Sequence, residues 1–158
     1  MEGRVIDLED TEKVMSTRDV IQLAEAKFDT LGSTGAYNTP TLGGDYRGQG
    51  FGVALVDPTP AADADAAART EQARRYGDVP YLVDPNGRLA RALGAARQPE
   101  VFVFDGSGTL AYQGALDDSA SDPSFVESDY ARDALDARGV GGTPPEATAA
   151  AFGCSLRL

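Results

Sequence analysis

Residues 95–116, AARQPEVFVFDGSGTLAYQGAL, decide the fold of this chain. Val101–Phe104 is a continuous apolar run bounded by turn-forming residues, which predicts a buried strand. A second short run rich in β-forming residues, Thr109–Tyr112, follows the turn residues 105–108. Because two such runs joined by a short glycine-containing loop form a β-hairpin, the stretch predicts an antiparallel pair with its first strand in the core.

Pro99 stands immediately before the buried strand. Proline has no N–H, so within sheets it is confined to the first residue of a strand or to a place outside the ladder. The Gln98–Pro99 bond is also a position that admits a cis peptide, because cis bonds in proteins are essentially confined to X–Pro. A proline before a buried strand, a tight turn and an antiparallel partner together resemble the second half of a thioredoxin fold.

The composition is that of an ordinary globular protein, with 42% hydrophobic and 25% charged residues. A length of 158 residues predicts one domain, over 1–158. No apolar run approaches the length of a membrane span, and the start, MEGRVIDLED, lacks the layout of a signal peptide. We therefore expect no membrane insertion and, by default, a cytoplasmic location, with a removed export signal as the alternative.

The charge and two absences exclude several classes of function. The formal net charge of −11 argues against a nucleic-acid or anionic-membrane partner, since both need clustered Lys and Arg. The chain has no His, which excludes Ser-His-Asp and Cys-His nucleophile systems and His-ligated metal sites. With Cys154 as the single cysteine, an intrachain disulfide and a Cys-x-x-Cys pair are also excluded, and we expect no cofactor and no metal.

The order of predicted elements indicates an α/β fold. The pattern is strand, helix, strand, helix, short helix, strand, strand, helix, which predicts βαβ followed by an antiparallel ββα in one central mixed sheet flanked by helices. Between the first helix and the second strand lies an insertion-like loop at 33–50, and an extended C-terminal tail occupies 139–158. The predicted strands are at 3–8, 51–56, 101–104 and 109–112, and the predicted helices are at 17–31, 61–77, 88–93 and 124–138. Residues 79–83 are predicted to be a short strand or an extended segment.

Three stretches of the chain resemble the redoxin family of thioredoxin-like, AhpC/TSA-related proteins. PEVFVFDGSGTLAYQGALDDS, residues 99–119, is similar to the family's TPE-hydrophobic-FD-x-x-G-x-L-x-Y-x-G-x-IDD. YLVDPNGRLARALGAARQ, residues 81–98, is similar to Y-L-x-D-x-x-x-x-x-A-x-x-Y-G-A, and the tail FGCSLRL, residues 152–158, resembles the closing G-C-S/T-I-K-W. The resemblance covers about the last 110 residues and implies a thioredoxin-like fold with thiol chemistry.

The chain departs from the family where that chemistry should lie. The family carries a Cys-x-x-Cys, or a single peroxidatic Cys, at the end of the first strand, where the helix N-terminus lowers the thiol pKa. The corresponding residues here are either 8–11 or 15–17, depending on whether GRVIDL is that strand or part of a preceding hairpin, and neither segment holds a cysteine.

Cys154 is the only candidate thiol, and three interpretations are open. It can be a resolving or sensor cysteine made more reactive by nearby Arg157, or a partner in an intermolecular disulfide. It can also be a small inert residue packed under the tail, which is the interpretation that we expect to hold.

Four residues are candidates for binding. The resemblance implies that Pro99, with Gln98 before it, contacts bound thiol partners, whereas the simpler interpretation is a proline that only shapes the loop. Tyr37 and Tyr46 flank a glycine-rich loop that can either recognise a partner or be disordered.

Two further features have structural explanations. Residues 106–108, GSG, lie between two strands and predict a hairpin turn, not a phosphate cradle. An acidic cluster lacks the spacing of a Ca²⁺ loop, and turn formation and helix capping account for it without selecting an acid–base pair. The cluster consists of Asp117, Asp118, Asp122, Glu127 and Asp129.

These observations lead to two main hypotheses of function. The first is a redoxin-type domain without catalytic cysteines that serves as a non-catalytic binding or scaffold module for a protein partner or larger assembly. The second is a thiol-dependent antioxidant or thiol–disulfide oxidoreductase that acts through Cys154 or through thiols of a partner. A third hypothesis is a fragment or subunit whose active-site segment lies elsewhere.

Overall fold

The computed structural model describes residues 5–7, 51–75, 81–119 and 123–158. The predicted helix at 17–31, the loop at 33–50 and half of the strand predicted at 3–8 therefore lie outside the described residues, as do Tyr37 and Tyr46. The described elements form a mixed α/β structure, as the sequence predicts at this level. The strands are β1 (Val5–Asp7), β2 (Leu55–Asp57), β3 (Tyr81–Val83), β4 (Arg97–Gln98), β5 (Val101–Phe104), β6 (Leu110–Gly114), β7 (Thr148–Ala149) and β8 (Cys154–Ser155), and the helices are α1 (Ala66–Arg75), α2 (Arg88–Leu93) and α3 (Tyr130–Gly139).

The first sheet is parallel and has β3 at its centre. Tyr81 pairs with Val5 on one side and with Leu55 on the other. All three residues of β3 are buried, as expected for a parallel strand with both faces covered. One face packs Tyr81 and Val83 against Ala73 of α1, and the other packs Leu82 against Leu89 of α2. Because successive side chains of β3 point to opposite faces of the sheet, this one short strand contributes to a small hydrophobic core on each face.

The second sheet contains the predicted hairpin. Strands β5 and β6 pair antiparallel, and β7 joins β6 in parallel, in the order β5-β6-β7. The Asp105 carboxylate accepts hydrogen bonds from Ser107 N and Thr109 N, each at 2.9 Å, which closes the turn. The hairpin and its buried strand Val101–Phe104 are therefore confirmed, with the second strand two residues longer at its C-terminal end than predicted.

The main core lies between this sheet and α3. Tyr112 is fully buried, and its hydroxyl donates a hydrogen bond to the carbonyl of Ala115. Burial is the main cause that raises the pKa of Tyr112, so the hydroxyl remains a donor throughout the physiological range. The cluster comprises Val101, Val103, Tyr112, Leu116, Ala131, Ala134 and Leu135, with Phe51, Tyr130 and Ala149 packed at its edge.

The expectation of one central mixed sheet is not met by the hydrogen-bond pattern. The described strands form two three-stranded sheets and a separate two-stranded ladder of β4 with β8. Both edges of β3 and both edges of β6 are already occupied, so neither central strand can pair with the other sheet. Phe51, which precedes β2 in the chain, packs against the main core.

The helix predicted at 124–138 is shorter than expected. Residues Pro123–Phe125 form a 3₁₀ turn, α3 starts at Tyr130, and Phe125 is 73% exposed instead of lying in the core. The Asp118 carboxylate accepts from Glu127 N at 2.9 Å, which holds this segment against the preceding loop. The Asp129 carboxylate then caps the helix by accepting from Arg132 N at 3.3 Å. Local carboxylate bonds therefore override the apolar spacing.

The helix predicted at 61–77 is likewise divided. Residues Ala61–Asp63 form a 3₁₀ turn, and α1 occupies Ala66–Arg75. The Asp65 carboxylate accepts from Ala67 N at 2.8 Å and from Ala68 N at 3.1 Å, as an N-cap does. None of the described helices is long and apolar enough to cross a bilayer.

Candidate functional site at the start of strand β5

The segment before β5 is fixed by a buried carboxylate. Glu100 is only 7% exposed, and its Oε2 accepts hydrogen bonds from Ala96 N at 2.9 Å and from Arg97 N at 3.2 Å. Its Oε1 accepts from Gln113 Nε2 of β6 at 3.0 Å. A buried carboxylate needs such donors, because its charge is costly to remove from water without them. Glu100 thus ties the turn carrying Gln98 to the hairpin.

The Gln98–Pro99 peptide bond is cis, as the sequence admits. Gln98 is exposed and Pro99 is half-buried. In the ladder of β4 with β8, Gln98 lies directly opposite Cys154 and Arg97 lies opposite Ser155. The structure therefore places the single thiol of the chain beside the residue that precedes Pro99.

Gly153 makes this approach possible. Its φ is +102°, a conformation that L side chains rarely adopt, and a Cβ here would lie 2.2 Å from the carbonyl oxygen of Gln98 and 3.3 Å from Cδ of Pro99. The carbonyl of Gly153 accepts from Arg97 Nη1 at 3.0 Å, and Leu156 N donates to the carbonyl of Ala96 at 3.0 Å. Backbone and side-chain bonds thus hold the tail across the start of β5.

Cys154 corrects one expectation. The expected packing of this residue under the tail is wrong, because the thiol-bearing residue is exposed. The reason is geometric: β8 is a two-residue strand on the outer side of β4, and all four residues of the ladder are exposed. The tail at 139–158 is likewise not simply an extension, since it contributes β7 and β8.

The acidic cluster serves structural roles, as predicted. Asp117 accepts from Ser119 N at 2.9 Å, Asp118 from Glu127 N, and Asp129 from Arg132 N. Backbone N–H donors of Glu127 and Ser128 lower the pKa of Asp118, whereas burial raises the pKa of Asp129. Within the described part of the chain, no group of three or more acidic or cysteine side chains could hold a metal ion. Asp122 lies outside that part.

A second pair of carboxylates lies at the carboxyl ends of the parallel strands. Asp57 accepts from Arg69 Nε at 2.8 Å and from the hydroxyl of Tyr81 at 3.0 Å. Fully buried Asp84 accepts from Arg88 N at 2.8 Å and from Ala90 N at 2.9 Å, which caps α2. Burial raises the pKa of Asp57, but hydrogen bonds from Thr59 and Arg69 outweigh it and leave the pKa below its usual value.

Ligands of open α/β sheets often bind at this edge. Here both carboxylates already accept hydrogen bonds from other residues of the chain, so they are less available to a ligand. The start of β5 is therefore the better candidate site. Sequence reasoning found Pro99, Gln98 and Cys154 but missed Glu100 and Gly153. Nothing local in the sequence indicates that these two segments pair.

Solved structures with a similar fold include two from bacteria. One is an uncharacterized conserved protein from Geobacillus kaustophilus, with a TM-score of 0.66 and 30% identity over 75% of this chain and 65% of that one. The other is a hypothetical protein from Sinorhizobium meliloti 1021, with a TM-score of 0.63 and 26% identity over 96% of this chain and 76% of that one. The matched region thus spans less than two thirds of the Geobacillus protein. No family model and no curated protein matches the chain.

Proposed function

We propose that the chain is a thioredoxin-like domain of the redoxin type that acts as a non-catalytic binding module for a protein partner. The single observation that carries this proposal is the position of the tail across Gln98 and Pro99. Gly153 lies against both residues, in the place where the family resemblance would have a thiol substrate. A surface filled by the chain's own backbone suits recognition of a partner better than turnover of a small disulfide.

The proposed binding surface consists of the exposed ladder of β4 with β8. It presents Arg97, Gln98, Cys154 and Ser155, all exposed. The buried Glu100 holds the β4 side of this ladder in place, so that little order of β4 would be lost on association. The ladder itself carries the cationic Arg97, but the chain as a whole has a net charge of −11. We therefore expect long-range attraction to a basic partner and an association that weakens with salt.

A photo-crosslinking residue at Gln98, introduced into the chain in its native source, tests this proposal. We expect one discrete cross-linked protein, reduced in yield at high salt. The matched control places the same residue at Phe125, which is also exposed but belongs to the 3₁₀ turn before α3. Equal products from both positions, or none from Gln98, would count against a binding surface at this ladder.

The exposure of Cys154 opposite Gln98 favours a second candidate, thiol–disulfide exchange. In this step the Cys154 thiolate attacks one sulfur of a disulfide on a partner protein and forms a new S–S bond with it. The original S–S bond breaks, and its electron pair leaves on the other sulfur as a thiolate. A second thiol of the partner then releases Cys154 by the same exchange, so that no further oxidant or reductant is required.

The rate of reaction of Cys154 with an aromatic disulfide separates the two candidates. If the chain is a binding module only, its thiol reacts no faster at pH 7 than a free low-molecular-weight thiol. If Cys154 is a working nucleophile, the rate exceeds that reference by about tenfold or more, as expected for an activated thiolate. Cys154→Ser provides the background rate, and cross-linking from Gln98 in the same variant shows whether binding survives without the sulfur.

A further inference from the structure

The last 13 residues, 146–158, which we term the C-terminal strap, are attached to the rest of the structure mainly through their backbone. The carbonyls of Ala147 and Ala149 accept from Gln113 N at 3.1 Å and from Ala115 N at 3.2 Å, respectively. Further along, Leu156 N donates to a carbonyl of the turn before β5. The strap thereby contributes one short strand to each of two different sheets.

The side chains of the strap bury little surface. None of residues 146–158 is buried, and the two largest apolar side chains, Phe152 and Leu158, are 40% and 47% exposed. Ala149 packs at the edge of the main core, and the Leu158 side chain lies against Gly87. Hydrophobic burial is the dominant favourable contribution to folding, so a segment with so little of it is held weakly compared with α3 or β5.

The chain is held in place just before the strap. Pro144 is buried, in contrast to Val140, which follows the end of α3 at Gly139 and is 87% exposed. A fixed proline followed by a weakly buried segment locates the boundary of motion between residues 144 and 146.

We propose that the C-terminal strap opens and closes as one unit about Pro144 while both sheets remain folded. In the closed state β8 occupies the edge of β4 and holds Cys154 opposite Gln98. In the open state the N–H groups of Gln113 and Ala115 lose their acceptors, the edges of β4 and β6 are bare, and Cys154 moves away from Gln98. The strap is thus a conformational device that sets whether the ladder of β4 with β8, on which the proposed function rests, is assembled or taken apart.

Residue-resolved hydrogen exchange of the full chain tests the proposal. The amides of Gln113, Ala115 and Leu156 should exchange through one common opening reaction. Its equilibrium constant should be at least about 100-fold larger than that of global unfolding. The reference amides are Ala131 N, which donates to the carbonyl of Leu116 at 3.0 Å, and Asp84 N, which donates to that of Asp57 at 2.8 Å. Both reference residues are fully buried.

A disulfide lock distinguishes a moving unit from independent fraying of two strands. Residues opposite each other in an antiparallel pair have Cα atoms about 4.5–5.5 Å apart, within disulfide range, so Gln98→Cys can be joined to Cys154. Oxidation should slow exchange at Gln113 and Ala115 as well as at Leu156, by about tenfold or more, and reduction should restore it. Arg97→Cys is the matched control, because its side chain lies on the other face of the ladder.

Two results would overturn the proposal. One is protection of the three strap-dependent amides equal to that of Ala131 and Asp84 in the unmodified chain, which would make the strap part of the global folding unit. The other is a lock that slows Leu156 alone, which would mean that β7 and β8 open separately. The reduced form of each cysteine variant shows whether the substitution itself disturbs folding.

Discussion

Gly114, at the junction of β6 and β7, is a position where substitution by alanine is expected to destabilise the fold more than at Gly141 or Gly106. Gly114 has φ +147°, a region that is essentially restricted to glycine, and placing another residue there costs about 1–3 kcal/mol. A Cβ at this position would also lie 1.9 Å from the carbonyl oxygen of Ala149. That oxygen belongs to the backbone of the paired strand, so it cannot turn aside as a flexible side chain does.

Relief of the clash requires β7 to leave β6. The two backbone bonds that join them, to Gln113 N and Ala115 N, contribute about 1 kcal/mol each. Together with the conformational cost, we expect Gly114→Ala to reduce the free energy of unfolding by about 3–5 kcal/mol. This is a large part of the roughly 5–15 kcal/mol that stabilises a typical domain.

Urea unfolding followed by circular dichroism measures the effect, and two other glycines separate its causes. Gly141 has a positive φ of +74° but nothing within 4 Å, so Gly141→Ala should cost only about 1–2 kcal/mol for its backbone conformation. Gly106, also with nothing within 4 Å, has no left-handed φ, and Gly106→Ala should stay within about 0.5 kcal/mol of the parent. A Gly114→Ala variant no less stable than Gly141→Ala would refute the reasoning that the contact with Ala149 is decisive.

Three further predictions concern buried polar groups, each measured by urea unfolding. Asp84→Ala removes the acceptor of the buried Ala90 N–H and should cost about 2–4 kcal/mol, and a cost below that of Asp84→Asn would contradict the capping role. Tyr112→Phe leaves the carbonyl of Ala115 without its hydroxyl donor and should cost about 1–2 kcal/mol, whereas a neutral effect would show that water replaces the hydroxyl. Burial raises the pKa of Asp57, but its hydrogen bonds more than offset this, so the pKa in the folded state lies below 3.8. The free energy of unfolding of the parent should therefore exceed that of Asp57→Asn by its full amount above about pH 3.8, and the difference should decline as the pH falls further. A difference that is independent of pH between about 2 and 7 would disprove the linkage.

The hairpin was predictable because its signals are local. The apolar run Val101–Phe104 and the Asp105 turn each carry their own chemistry, and the bonds that they predict lie within a few residues. The start of α3 was not predictable. Phe125 and Val126 belong to a pattern of apolar residues with helical spacing, but the carboxylate of Asp118, nine residues before Glu127, accepts a hydrogen bond from the backbone of this segment. Apolar periodicity indicates which face of a helix could be buried, but it cannot show that a distant carboxylate will accept a hydrogen bond from the backbone and prevent the helix from starting there.

The candidate site shows the same division. Pro99 was identified from its place before a buried strand, and Cys154 from being the only thiol, but their proximity depends on a pairing across 56 residues. The ladder that creates it has only two residues in each strand, too few to show alternation in the sequence. Glu100 was missed for a related reason, since a charged residue next to a buried strand is normally assumed to face solvent.

The alternation of side chains in the ladder of β4 with β8 makes Cys154 a suitable position for a fluorescent label. Gln98 and Cys154 project from the same face, and Arg97 and Ser155 from the other. A dye attached through a maleimide to the single cysteine would therefore sit next to Gln98, with no second labelling position to block. Its emission would respond to whatever approaches the amide of Gln98, and would be comparatively indifferent to changes around the guanidinium of Arg97.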